Sequence, residues 1–516
     1  SRQRMYNEYL APYKAAVEAG VGSVMSSFNL VDGIPATANK WLLTDLLRNE
    51  WGFCGLLVTD YNSIAEMSSH GVAPLKEASV RALQAGPDMD MVSCGFLNTL
   101  EESLKEGKVT EEQINAACRR VLEAKYKLGL FSDPYKYCDT LRVEKELYTT
   151  AHRAVAREIA AETFVLLKNE DHLLPLERKG KIALIGPMAD ARNNMCGMWS
   201  MTCTPSCHGT LLEGIRSAAG DKAEILYARG SNIYHDAELE KGGAGIRPLE
   251  RGNELQLLDE ALHTAARADV IVAALGECAE MSGESASRTE LGIPDAQQDL
   301  LKALVKTGKP VVLLLFTGRP LVLNWEDANV HSILNVWFGG SETGDAIADV
   351  LFGKVTPGGK LTTTFPRSVG QLPLYYNHLN TGRPDPDSHS FNRYSSNYLD
   401  MSNEPLYPFG YGLSYTNFSY GNLQLSSDVL SRNGELTVSV TVTNDGDFDG
   451  YEIVQMYLHD IYAEISRPVK ELKGFERIFL KKGESREVKF VITEDDLRFY
   501  NSGLQYVYEP GEFDVM

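Results

Sequence analysis

The chain has 516 residues, of which 43% are hydrophobic and 23% charged, and its formal net charge at pH 7 is −20. A single hydrophobic core stops growing at roughly 250 to 300 residues, so we expect several domains. The acidic balance argues against nucleic acid as a partner, because such proteins neutralise phosphates with Lys and Arg. No run of 18 apolar residues occurs, so no membrane-spanning helix is expected.

The first 130 residues alternate between helix-like and strand-like segments. The predicted helices are Arg2 to Ala19, Trp41 to Trp51, Leu75 to Gln84 and Glu111 to Leu128, and the predicted strands are Val21 to Ser26, Leu56 to Thr59 and Met89 to Val92. Such alternation indicates parallel βα units. Three strands cannot close a barrel, which needs eight strands and about 250 residues. Two alternatives remain: an open sheet, or a barrel whose first part is not included here.

A second α/β block follows after a linker around residues 131–141. Its predicted strands are Thr163 to Leu167, Lys181 to Ile185, Ala223 to Tyr227, Val270 to Leu275, Pro310 to Phe316 and Ser332 to Val336. Helices such as Glu254 to Ala266 and Ala296 to Lys306 lie between them. Continuous apolar runs are typical of strands buried on both faces. This block is therefore predicted to be an open, doubly wound sheet.

The C-terminal part has a different pattern. Residues 377–404 are polar and aromatic and predict a long loop, whereas Leu436 to Thr443 alternates between apolar and polar residues. Several such strands separated by turns indicate an antiparallel sandwich. Ser1 lies in a helix-like stretch and Phe513 to Met516 in a strand-like one. We therefore expect both ends to be cut, with any signal peptide outside this sequence.

Cofactor motifs are weak. Cys196, Cys203 and Cys207 crowd together before His208, but zinc sites usually need paired Cys-x2-4-Cys units and four ligands. We expect loop cysteines with one disulfide and no metal. Residues 353–362 resemble a phosphate loop, but the Lys falls one place late and a strand follows. No cofactor is predicted.

Asp60 ends an apolar run, Gly55-Leu56-Leu57-Val58-Thr59-Asp60-Tyr61-Asn62. In parallel α/β barrels the loops after the strands form the open face that carries the chemistry. An Asp at this position also caps the helix that follows such strands. A catalytic carboxylate and a structural cap are both consistent with the local pattern.

A second group of carboxylates follows the predicted strand Val270 to Leu275. Glu277, Glu280 and Glu284 lie among Ser and Gly residues, in a loop at the edge where open parallel sheets bind ligands. The alternative is a solvated acidic surface loop.

Seven motifs, in the same order along the chain, resemble glycoside hydrolase family 3, the β-glucosidase family. They are Val24-Met25-Ser26-Ser27-Phe28-Asn29, Gly52 to Tyr61, Ala85-Gly86-Pro87-Asp88-Met89-Asp90-Met91, Ser282-Gly283-Glu284, Thr317-Gly318-Arg319-Pro320, Ala346 to Gly353 and Tyr407 to Tyr415. The resemblance implies a multidomain α/β protein. Its domains would be the C-terminal part of a (β/α)8 barrel (1–135), a linker (136–160), an α/β sandwich with a mostly parallel sheet (161–376), a loop or linker (377–410) and a fibronectin-III-like β-sandwich (411–516).

The resemblance also implies roles for individual residues. Asp60 matches the nucleophile and Glu284 the acid/base, while Met25, Phe28 and Tyr61 match positions that line the sugar site. Tyr61 stands where Trp is common and Phe28 where many relatives have Tyr, which would change sugar contacts rather than the reaction type. As a large apolar side chain, Phe28 could almost equally well belong to the barrel core.

The implied activity is retaining, exo-acting hydrolysis that releases terminal β-D-glucose from β-glucosides and from cello- or related oligosaccharides. Retention needs two carboxyl groups roughly 5 to 5.5 Å apart, so Asp60 and Glu284 are expected to face each other. If the match slips, Glu277 or Glu280 would be the acid.

Two alternatives remain open. One is a β-xylosidase or another exo-glycosidase. The other is a non-catalytic carbohydrate-binding fragment, because the family's early barrel strands, with the Asp, Arg and Lys-His residues that hold sugar hydroxyls, are not included here. The resemblance implies a β-linked oligosaccharide or glycoside as substrate and a periplasmic or secreted location. It is also compatible with a homodimer.

Overall fold

The computed structural model describes residues 1–200, 204–240, 249–385 and 391–516. The chain divides into two compact units. The first consists of Ser1–Glu146 and Phe499–Tyr506, and the second of Leu147–Arg498 and Val507–Met516.

The secondary structure alternates as far as about residue 350 and is mostly β beyond it. The strands are β1 (Ser23–Met25), β2 (Leu30–Val31), β3 (Ile34–Pro35), β4 (Leu56–Val58), β5 (Val165–Asn169), β6 (Lys181–Ile185), β7 (Glu224–Ala228), β8 (Val270–Gly276), β9 (Val311–Phe316), β10 (Ser332–Asn335), β11 (Phe418–Leu425), β12 (Leu436–Asn444), β13 (Gly450–Asp460), β14 (Glu471–Leu480), β15 (Ser485–Ile492), β16 (Phe499–Tyr500), β17 (Tyr506–Val507) and β18 (Phe513–Val515). The α-helices are α1 (Arg2–Arg4), α2 (Ala11–Glu18), α3 (Ser63–Glu66), α4 (Leu75–Ala85), α5 (Gly95–Lys105), α6 (Glu111–Lys127), α7 (Arg142–Glu146), α8 (Thr150–Thr163), α9 (Leu211–Ala219), α10 (Glu254–Ala266), α11 (Asp295–Val305), α12 (Asn324–Asn329), α13 (Thr343–Leu351) and α14 (Glu494–Leu497). Met5–Tyr9 and Trp41–Glu50 are π-helical.

The first unit contains a parallel pair of strands, β1 and β4, in which Met25 stands opposite Val58. Leu57 of β4 is fully buried and packs with Leu43, Leu47 and Phe53. Helix α6 begins with a capping box in which Thr110 and Gln113 satisfy each other's backbone amides. The predicted parallel βα units are therefore present.

The predicted strand from Met89 to Val92 is wrong. Met89 forms only one isolated parallel bridge to β4, and the backbone then turns through positive φ at Val92 and Cys94. The Asp90 carboxylate accepts a hydrogen bond from the Gly95 amide at 2.6 Å, at the first turn of α5. The segment therefore leads into helix α5 and does not continue as a strand, because the Asp90 side chain accepts hydrogen bonds from the first amides of α5.

The second unit contains a six-stranded sheet in the order β5-β10-β9-β8-β6-β7. All neighbours are parallel except β5, which pairs antiparallel with β10 at one edge. Along β9, Val312 and Leu314 join one buried cluster, whereas Val311 and Leu313 join another. Both faces of the strand are therefore buried, which explains its continuous apolar run.

Helices cover the two faces of this sheet. Residues of α8, α9 and α13 belong to the first cluster, and residues of α10 and α11 to the second. The predicted mostly parallel, doubly wound sheet is confirmed. Helix α8 overlaps the predicted linker 136–160 and buries Ala160 and Ala161 in the first cluster. The predicted domain boundaries stay predictions.

The C-terminal strands form two antiparallel three-stranded sheets, β11-β12-β15 and β14-β13-β18. Val438 of β12 packs with Met456 and Leu458 of β13, so the two sheets enclose a common core. The predicted sandwich is confirmed. The predicted loop 377–404 contains no helix or strand in residues 377–385 and 391–404.

Candidate active site

Asp60 lies just beyond the carboxyl end of β4. The Ser26 amide donates to the Val58 carbonyl at 3.0 Å, and the Thr59 amide donates to the Met89 carbonyl at 3.0 Å. These bonds continue the sheet pairing as far as Thr59. Asp60 therefore directly follows these paired residues, at the end of β4 where parallel strands place functional groups.

Hydrogen bonds hold the main chain and one carboxylate oxygen of Asp60 in place. Its carbonyl accepts hydrogen bonds from the Thr59 hydroxyl at 3.0 Å and the Ser63 amide at 3.2 Å. Its Oδ1 accepts from the Tyr61 amide at 2.7 Å. Its Oδ2 accepts no hydrogen bond from the residues that the structure describes. The half-buried carboxylate is thus held in place with one oxygen available.

The three predicted sugar-site residues have substantially exposed side chains in the first unit. The exposed fractions are 51% for Met25, 36% for Phe28 and 61% for Tyr61. Met25 ends β1, the neighbour of β4, and Tyr61 follows Asp60 directly. In this unit Phe28 is therefore not core. Sugar contacts by these residues stay a prediction.

Glu284 lies in the loop of residues 277–292, which we call the acid loop, between β8 and α11. It is exposed, and the backbone around it turns through positive φ at Gly283 (105°) and Ser285 (56°). A methyl group on Gly283 would lie 2.8 Å from Met198 Cγ and 3.4 Å from Trp199 Nε1. The turn that presents Glu284 therefore packs tightly against Met198 and Trp199.

Glu277, at the start of the acid loop, is fully buried. Its Oε1 lies 2.8 Å from Arg288 Nη1 and 3.0 Å from Arg319 Nε. Its Oε2 accepts from the Thr317 hydroxyl at 2.9 Å and the Gly318 amide at 3.1 Å. The Arg288, Thr317 and Gly318 contacts are hydrogen bonds, whereas the Arg319 contact is an ion pair without hydrogen-bond geometry. All four groups are donors, so the arrangement favours Glu277 as an anchor rather than as a proton donor.

The neighbouring loop residues also differ from Glu284. Glu280 is half-buried, and its Oε1 has no hydrogen-bond partner in the part of the chain that the structure describes. Burial raises the pKa of the Cys278 thiol to about 11. Cys278 therefore stays protonated at neutral pH and does not supply a thiolate nucleophile.

The cysteine-rich segment shows no metal site in its described part. Cys196 is disulfide-bonded and Cys207 carries a free thiol, while Cys203 lies outside the described residues. His208 is buried, and its Nε2 lies 3.0 Å from the Arg192 carbonyl oxygen. Over residues 1–200, 204–240, 249–385 and 391–516, no group of three or more His, Cys, Asp or Glu is arranged to hold a metal.

Sequence comparison identifies three known domains in the chain. The glycosyl hydrolase family 3 N-terminal domain matches residues 1–124, the corresponding C-terminal domain matches residues 164–415, and a fibronectin type III-like domain matches residues 452–516. Over its whole length the chain is 47% identical to a periplasmic beta-glucosidase of Salmonella typhimurium and covers 68% of it. The chain belongs to glycoside hydrolase family 3.

Other proteins match over the whole chain as well. A beta-xylosidase of Formosa agariphila is 39% identical, and this chain covers 70% of it. The crystal structure of beta-glucosidase from Listeria innocua in complex with isofagomine superposes with a TM-score of 0.92 at 39% identity, and this chain covers 69% of it. The chain thus spans about two thirds of the length of these relatives. The resemblance inferred from the motifs is confirmed.

Among the described residues, no helix combines the length and apolar character needed to cross a bilayer. Asp60 falls within the matched N-terminal domain and Glu284 within the matched C-terminal domain. Sequence reasoning missed the partners of Glu277: Arg288 lies in the same loop, whereas Thr317, Gly318 and Arg319 come from a distant segment. The sequence did contain one signal for these partners, the motif Thr317-Gly318-Arg319-Pro320. The contact between Arg319 and Glu277 cannot be read from a residue periodicity.

Proposed function

We propose that the protein is a retaining, exo-acting β-glucosidase that releases terminal β-D-glucose from β-glucosides and cello-oligosaccharides. The observation that carries this proposal is Asp60 itself: a carboxylate fixed at the carboxyl end of β4, with one oxygen available, beside the exposed Tyr61 ring. The named activity of the Salmonella relative, 47% identical over the whole chain, supports the choice of glucose.

The chemistry divides between two carboxyl groups. Asp60 is proposed to attack the anomeric carbon and to form a covalent glycosyl ester, while Glu284 protonates the departing oxygen. Glu284 then takes a proton from the water that attacks the anomeric carbon and displaces Asp60, and this second inversion restores the β configuration. The exposed Phe28 and Tyr61 rings are proposed to stack on the apolar face of the sugar.

The nucleophile is tested by trapping. A 2-fluoro β-glucoside with a good leaving group slows hydrolysis of the ester, so mass spectrometry of a digest should find the sugar on the Asp60 peptide. The Asp60→Asn variant should carry no label. A label on any other carboxylate in the wild-type protein would overturn the assignment.

The acid/base is tested by rescue. Glu284→Ala should lower turnover, and azide should restore it on activated aryl glucosides, because azide can attack the ester without help from a base. The matched variant Glu280→Ala removes a carboxylate from the same loop and should need no azide. Rescue of Glu280→Ala in place of Glu284→Ala would move the acid role within the loop.

The second candidate activity is β-xylosidase, which the name of the Formosa agariphila relative supports. Rates on p-nitrophenyl β-glucoside and p-nitrophenyl β-xyloside separate the two. A higher kcat/KM on the xyloside would replace glucose by xylose in the proposal. Binding of cellobiose without turnover of either substrate would support the non-catalytic alternative.

An extracytoplasmic location is also part of the proposal, because the Salmonella relative is named periplasmic. Fractionation of the source cells tests it, and recovery in the cytosol would contradict it. The admitted homodimer stays a prediction, which light scattering of the purified chain can check.

A further inference from the structure

Arg319 contacts the acid loop on both sides of Glu284. It follows β9, and its Nη2 donates to the main-chain carbonyls of Met281 and, at 2.8 Å, of Ala286. Met281 and Ala286 are the third residue before Glu284 and the second after it. One guanidinium therefore fixes both ends of the short turn that carries the proposed acid.

Glu277 holds this guanidinium and extends the network to the far end of the loop. Its carboxylate pairs with Arg319 and with Arg288, and the Arg288 Nη2 donates to the Gly292 carbonyl at 3.1 Å. The two arginine side chains are only 22% and 12% exposed. The beginning, middle and end of the acid loop are thus joined through a single buried carboxylate.

The close approach of the neighbouring loop adds a steric contact. A methyl group on Gly318 would lie 2.1 Å from the Ser282 Oγ, so the residue before Arg319 packs directly against the residue two before Glu284. Ser282 is buried, whereas Glu284 is exposed. The turn is therefore packed closely against the neighbouring loop at Ser282, while its acidic side chain at Glu284 is exposed.

Stability alone is a poor explanation for such a network. Desolvating a carboxylate and two guanidinium groups costs several kcal/mol per ion, and apolar residues of similar volume often stabilise a fold as well or better. Precise placement is a better explanation, because an acid must lie within hydrogen-bond reach of the atom that it protonates. Glu284 sits in a turn after the short 3-10 helix Ala279–Met281, so that placement has to come from contacts such as these.

We infer that Arg319 and Glu277 are positioning residues that hold the Glu284 carboxyl where it can protonate the leaving group. This inference rests on the proposed role of Glu284. Neither residue touches the reacting atoms in this scheme. Their effect on the rate should therefore appear only where protonation of the leaving group limits the reaction.

The test is the dependence of kcat/KM on the leaving group. Aryl β-glucosides range from 2,4-dinitrophenyl, whose phenolate departs without a proton, to phenyl, whose departure needs an acid. Arg319→Lys keeps the charge but loses the planar guanidinium, whose Nη2 reaches two carbonyls while its Nε faces Glu277. It should lower kcat/KM on the phenyl glucoside by on the order of 10²-fold, and on the dinitrophenyl glucoside by less than about threefold.

A second variant and a matched control accompany Arg319→Lys. Glu277→Asp keeps the charge but withdraws the carboxylate, and should show the same dependence if Arg319→Lys folds poorly. Arg157→Lys disturbs another two-bond arginine–carboxylate pair of the same unit, with Asp349, at 2.6 Å for each bond. It should leave the leaving-group dependence at the wild-type value.

Glu284→Gln separates the inference from the proposed function. If its loss of rate is the same for all leaving groups, Glu284 is not the acid, and both ideas fail. If Glu284→Gln depends on the leaving group but Arg319→Lys and Glu277→Asp lower all rates equally, the two residues are merely structural, and only the positioning inference is overturned.

Discussion

Replacing Asp88 should favour local unfolding of the first unit around β4, because this one carboxylate accepts hydrogen bonds from three donors. Its side chain is fully buried. The Oδ2 accepts from Arg48 Nη2 at 2.7 Å and from the Leu57 amide at 2.9 Å, and the Oδ1 accepts from Arg120 Nη1 at 2.7 Å. Asp88→Ala leaves two guanidinium groups and one strand amide without this acceptor.

The magnitude follows from how far each donor can return to water. The Arg120 side chain is 31% exposed and can rehydrate, whereas the Arg48 side chain is only 9% exposed. Burial lowers the pKa of Arg48, and the Asp88 charge opposes that shift, so Asp88 offsets part of the cost of burying this cation. Breaking a buried ion pair costs about 3 to 5 kcal/mol. We expect about 4 kcal/mol, or roughly a 10³-fold larger open population.

Hydrogen exchange measures this locally, since the Leu57 amide itself donates to Asp88. Exchange in peptides that cover β4 should accelerate by roughly 10³-fold in Asp88→Ala when exchange follows the open population. Arg48→Met combined with Asp88→Leu should recover much of the loss, because no charge then stays buried without its partner. An acceleration below about tenfold in Asp88→Ala would refute the reasoning.

Three further changes should be visible in stability measurements. Burial raises the pKa of the Glu326 carboxyl, so its contribution to stability is complete below about pH 4.3 and is lost as the pH rises through the raised pKa. Glu326→Gln should therefore raise Tm more at pH 7 than at pH 4. An equal change in Tm at both pH values would contradict this. Tyr407→Phe removes the hydroxyl that donates to Asp327 Oδ1 at 2.6 Å, and urea denaturation should show a loss of about 1 to 3 kcal/mol, against no loss if the bond is unimportant. Gly276 has a φ of 133°, and a methyl group there would lie 2.0 Å from the Phe316 carbonyl oxygen. Gly276→Ala should therefore lower the free energy of unfolding by about 3 kcal/mol or more. A variant as stable as the wild type would disprove the clash.

Strands buried on both faces could be predicted well because their pattern needs no partner to be recognised. The run from Val311 to Phe316 is apolar at every position, and both alternating sets of side chains are buried. The segment from Met89 to Val92 is apolar except at Asp90 but is not a strand. Asp90 decides the outcome by bonding to the amides that begin α5, and that contact is invisible in a periodicity.

The candidate site divides in the same way. The sequence placed Asp60 at a strand end, because the apolar run before it and the turn residues after it are local signals. The local pattern could not rank Glu277, Glu280 and Glu284, which share one residue type and one loop, and only the resemblance to family 3 singled out Glu284. Their difference arises from Arg319 and Thr317, which approach from another loop.

The sequence by itself determined the order of strands and helices, the family, and the position of Asp60, since each depends on neighbours along the chain. Only the tertiary structure decided which carboxylates are already engaged. Glu277 is buried between two guanidinium groups, whereas Glu284 stays exposed seven residues later. The physical reason is that the environment of a carboxylate, its burial and its donors, is built by residues distant in sequence.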